Sequence, residues 1–145
     1  VSIGGFDNHD FLLTQHAQQL ARVNAAVDAF YSWLVQLNVQ NDVTLFTASE
    51  FGRTLTSNGD GSDHGWGSHH FVLGGSVAGR EVYGTFSPTV FGSSVDIGQG
   101  NLLPGFSVDQ YAATFASWLG VSGADMPLVV PNIVNFSPIS PSFLT

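Results

Sequence analysis

The chain has 145 residues, 43 % hydrophobic and only 10 % charged, which excludes a disordered, charge-solvated segment and leaves enough apolar material for a core. Its net charge is −8, with Arg22, Arg53 and Arg80 as the cations and no lysine. Clustered cations for nucleic acid or an anionic membrane surface are therefore missing, and no apolar run reaches transmembrane length, so neither nucleic acid nor membrane insertion is expected.

The first residues, "VSIGGF", read as the end of a strand, with Gly4 and Gly5 letting the backbone turn before Asp7. The chain opens without Met or a signal-peptide pattern and reads as a mature or truncated piece of a single domain spanning 1–145. Next comes an amphipathic helix over about residues 11–38. Leu13, His16, Leu20, Val23, Val27, Phe30, Leu34 and Leu37 follow a three-four spacing that places them on one face, opposite Gln18, Arg22 and Asp28. The expected partner of that face is the strand Val43 to Ser49, whose continuous β-branched and aromatic character suits burial on both sides.

A glycine-rich loop from Gly52 to Gly67 leads to a second short strand, "HFVLGG", and "REVYGTF" reads as an edge hairpin or loop. A second helix opens at Ser107, with Gln110 placed for a capping box and Gly120 as its stop. The tail from Pro127 is expected to be extended and draped over the surface. Strand, helix, strand in this order predicts an α/β fold with a mostly parallel sheet flanked by helices.

Ligands in such sheets bind beyond the carboxyl ends of the strands. The polar groups placed there are Asp7 and His9 after the first strand, Glu50 after the second, and Asp63 with His64 in the following loop. Carboxylates and imidazoles converging from separate segments suit a divalent metal with oxygen and nitrogen ligands. Each has a plainer role. Asp7 can cap a helix or turn, His9 and His64 can be solvated loop residues, and His16 lies on the apolar stripe as a core or rim histidine. Glu50 follows a buried-looking strand, so it needs either a metal or Arg53 as its partner. Alternation along their strand lets at most one of His69 and His70 reach a site. The stretch "NGDGSD" fails as a calcium loop, because Asp63 and His69 stand where Gly and Glu are required. There is no G-x-S-x-G, phosphate loop or dinucleotide fingerprint.

"GGFDNH", the helix "HAQQLARVNAAVDAFYSWLVQL", "NDVTLFTASEFGRT", "SDHGWGSHHFVLGG" and "SVDQYAATFASWLGV…PNIVNF" together resemble the C-terminal half of a bacterial family catalogued as the 1501 family of domains of unknown function. That family is similar in fold to the alkaline phosphatase superfamily, which includes sulfatases. The resemblance implies part of an alkaline-phosphatase-like fold and a metal-dependent hydrolase of phosphate or sulfate esters, exported to the periplasm or beyond. It implies a divalent metal (zinc, manganese or calcium) on Asp7, His9, Glu50 and His64, with Asp63, Arg53 and His16 in supporting or anion-binding positions. A non-catalytic metal-binding or interaction protein of the same fold is the alternative. The chain departs from the superfamily pattern at three points. Asp7 and His9 stand two apart rather than four, Glu50 replaces an Asp, and Phe51 stands where a second ligand is usual. The superfamily's nucleophile belongs to the N-terminal half, so the implied partner is that part of the same protein or another subunit.

Overall fold

A computed structural model describes residues 1–139 and 141–145. The long helix is present as α1, Leu12–Gln36. Its sequence contains neither Gly nor Pro and is rich in alanine, which favours continuous helix. Phe11, at φ 55°, turns the chain into it. Its end is a Schellman motif with Asn38 in the left-handed region (φ 57°). The Asn38 amide donates to Val35 O and the Val39 amide to Leu34 O, both at 3.0 Å.

The sheet is where the expected fold fails. Strands β1 (Thr44–Phe46), β2 (Gly52–Ser57), β3 (Ser62–Gly65) and β4 (Val72–Gly74) form two separate antiparallel pairs, β1 with β4 and β2 with β3. The described residues contain no parallel sheet flanked by helices, and the alkaline-phosphatase-like architecture is not what this chain adopts. The reason lies in the connections. Parallel neighbours need a crossover, usually a helix, between them. Here the residues between β1 and β4 fold into the β2–β3 hairpin instead, so the chain returns antiparallel, pairing Leu45 with Leu73. The segment "VSIGGF" joins no strand.

Nor does α1 cover β1. That role falls to α2, Val108–Trp118, whose Phe115 stacks on Phe46 with ring centroids 4.2 Å apart. The α2 start carries the full capping box: Ser107 Oγ accepts from the Gln110 amide and Gln110 Oε1 from the Ser107 amide. Gly120 (φ 94°) closes the helix, with the Val121 amide on Ala116 O. The tail is not merely draped. A one-turn helix α3, Met126–Val129, and a 3-10 turn, Pro131–Asn135, fold back so that Met126, Val130 and Ile133 enclose Ala113 of α2 as the buried core.

Candidate metal centre

The β2–β3 hairpin turns at Asn58–Gly61, where Asn58 Oδ1 accepts from the Gly61 amide and Gly61 O from the Asn58 amide. Register then places Arg53 directly opposite His64, so both side chains reach the same neighbour. That neighbour is the turn at residues 7–9, which the hairpin meets closely. A Cβ at Gly61 would collide with the carbonyl oxygens of Asn8 and His9. The Leu12 amide donates to Asp60 O at 3.1 Å, tying the start of α1 to the same turn. Asn8 is buried and its side-chain amide donates to Gly5 O and Gln15 Oε1, which fixes the loop between the two flanking polar residues.

Asp7, His9 and His64 meet here. Asp7 Oδ1 lies 3.1 Å from His9 Nε2 and 2.9 Å from His64 Nε2, and the two imidazole nitrogens are 3.1 Å apart. The triangle is nearly equilateral. Ligand atoms of a tetrahedral zinc with bonds of about 2.0–2.1 Å stand roughly 3.3 Å apart, so these donors fit one face of such an ion with little movement. Each side chain is roughly half exposed, at 54 % for Asp7, 43 % for His9 and 48 % for His64, which leaves the outer side of the triangle open to solvent.

The surroundings orient the donors. His9 Nδ1 lies 3.3 Å from Asp63 Oδ1; donating its proton there turns the Nε2 lone pair into the triangle. Phe51 stacks on His64 at 3.7 Å and holds its ring in plane. Arg53 Nη1 donates to Asp7 Oδ1 at 2.6 Å, and its other nitrogens donate to Ser62 Oγ and Ser62 O. Arg53, then His64, hold the Asp7 carboxyl below the ordinary carboxylate range, keeping it ionised. A divalent ion held by these three atoms would take a lone pair from each. Arg53 competes for Oδ1, but Oδ2 of Asp7 has no hydrogen-bond partner among the described residues.

The remaining candidates stand elsewhere. Glu50 is exposed, outside the triangle and without an ion pair or hydrogen bond from its carboxylate among the described residues. Its exposure removes the burial cost that a partner would have had to offset. Arg53 pairs with Asp7 instead. His16 lies on α1, edge-on to Phe6 at 6.2 Å. His69 and His70 both face a separate cleft. Two contributors escaped the sequence reading: Gly61, which permits the close approach, and the Phe51 ring, which supports His64. The alternation of small and polar residues in "NGDGSD" was the available sign of a tight hairpin turn.

The triangle and its hairpin define a class, a loop-and-hairpin cluster able to hold a metal ion. The chain matches, over residues 1–123, the family described as "Protein of unknown function (DUF1501)" and belongs to it. No curated protein and no solved structure matches the chain.

Proposed function

We propose that Asp7, His9 and His64 bind one divalent cation through a single oxygen and two imidazole nitrogens. The observation that carries this is the closed triangle of donors about 3 Å on each edge, with a carboxylate on the outer nitrogen of His9. Two imidazoles favour zinc; manganese and calcium are the less suited ions, calcium least because it prefers oxygen. Chelator-treated protein titrated with zinc should take up one equivalent. Asp7→Asn and His64→Ala should each weaken uptake at least about tenfold, and Asp63→Asn by about the same factor through His9. Uptake unchanged in all three variants would overturn the assignment.

The open side of the triangle supports hydrolysis of a phosphate or sulfate ester as the finer reading. A divalent ion there supplies Lewis acidity toward an ester oxygen. The nucleophile would come from an N-terminal part of the same protein or another subunit, in the periplasm or outside the cell. One observation favours a non-catalytic centre instead: Arg53 is already bound to Asp7 and Ser62, so the nearest cation is not free to take a substrate anion. Aryl phosphate and aryl sulfate turnover by zinc-loaded protein, abolished by His64→Ala, separates the two. Stoichiometric zinc without turnover, with or without the partner, leaves the non-catalytic reading.

A further inference from the structure

A cleft of about 820 Å³, a volume in the range of small-molecule sites, has Phe51 among its lining residues. Eight aromatic residues contribute to its walls, among them Trp66, Tyr83, Phe86 and Tyr111. Both tyrosine hydroxyls are turned onto backbone carbonyls, Tyr83 on Ala78 O at 2.7 Å and Tyr111 on Thr47 O at 3.2 Å. With the hydroxyls so engaged, what the two residues offer to the cleft is mainly ring surface. His69 stacks on Phe86 and His70 on Tyr111, extending that wall.

The charged residues in its lining are Arg80, Glu81 and Glu50, a net charge of −1. The Glu50 carboxylate is exposed. It has no ion-pair or hydrogen-bond partner among the described residues, and the chain carries a net charge of −8. Burial, then the neighbouring His69, lowers the His70 pKa, so that imidazole adds no positive charge at neutral pH. Aromatic faces carry negative electrostatic potential and attract cations, most strongly where solvent is partly excluded. Of the possible guests, a cation is the one whose charge opposes the net charge of this lining.

We infer that this cleft binds an organic cation, an ammonium group on a small apolar body, with Glu50 as counter-charge and Trp66 and Phe86 as its π-walls. The cleft contains none of the three donors of the metal triangle, although it shares Phe51, which stacks on His64. Calorimetric titration in chelator-containing buffer, with the full chain, compares choline with its uncharged isostere 3,3-dimethylbutan-1-ol. The cation should bind about tenfold more tightly or better, in line with cation–π and ion-pair contributions. Glu50→Gln, at an exposed position, should reduce choline affinity several-fold and leave the alcohol unchanged; Trp66→Ala should weaken the cation in the same way. Equal affinities for cation and alcohol would mean a plain apolar groove, suited to a polypeptide side chain, and would overturn the proposal. So would no binding of choline at tens of millimolar, or affinity indifferent to both substitutions.

Discussion

Gly61 shows how one missing side chain can set up a site to which it contributes no ligand. Its backbone runs against the carbonyls of Asn8 and His9, and that approach brings His64 of the hairpin to the Asp7–His9 turn. Gly61→Ala should push the turn and hairpin apart, costing roughly 1–3 kcal/mol as overpacking does. Zinc affinity should fall with it, although every ligand remains. Gly123→Ala, where an added Cβ meets nothing within 4 Å, serves as the neutral comparison in thermal melts and zinc titration. Two carboxylates should make the chain acid-sensitive. Asp7 is held below its ordinary pKa by Arg53 and His64, and Asp96 by the amides of Gly92, Gly98 and Gly100. A depressed folded-state pKa means stability that is present above the unfolded pKa and is lost as pH falls through the folded one. The melting temperature should therefore decline below the ordinary carboxylate range, and less steeply in Asp96→Asn, which starts lower at neutral pH. Parallel acid profiles for the two proteins would show that the amide cradle of Asp96 contributes nothing.

At the scale of elements, local signals were legible and pairings were not. The start of α2 was written in Ser107 and Gln110, and its stop in Gly120, because a cap is decided within one turn of helix. Ser107→Ala should cost about 1 kcal/mol. Ile133→Ala, in the core against Ala113, should cost about 2–5 kcal/mol; both are read from urea unfolding midpoints, and the reverse ranking would count against a core built on α2. The stripe of α1 announced a helix but did not name what it packs on. Strand direction is not legible in the sequence because nothing in "TLF" encodes its partner; the intervening hairpin decides it. The candidate site shows the same division. Asp7, His9 and His64 stood out by residue type, yet what brings them together is a loop meeting a hairpin, not the ends of parallel strands. Glu50 draws notice only by its place after a strand, and that strand is only three residues long and ends well before it.

For the whole molecule the relevant quantity is surface. The chain exposes 9689 Å², whereas a folded monomer of 15.4 kDa is expected to expose about 7,200 Å². Part of the exposed apolar surface lies on α1 and its C-cap, where Leu13 is 90 % exposed, Trp33 69 % and Leu37 68 %. A 25-residue helix with little support from its own chain draws its stability from whatever covers that face. The excess, about 2,500 Å² on one chain, is well above the roughly 800 Å² per partner of a standard interface and falls in the range of large obligate ones. The chain alone should therefore associate: sedimentation velocity should give a weight-average mass that rises above 15.4 kDa with concentration. Trp33→Glu with Leu37→Glu should shift the distribution toward monomer, and added salt should not, because the contact is apolar and α1 carries only Arg22 and Asp28 as charges. A physiological partner, whether further chain of the same protein or another subunit, would compete with this self-association and raise the melting temperature with its concentration. A monomer at every concentration, unaffected by either substitution, would mean that α1 stands in water on its own helix propensity.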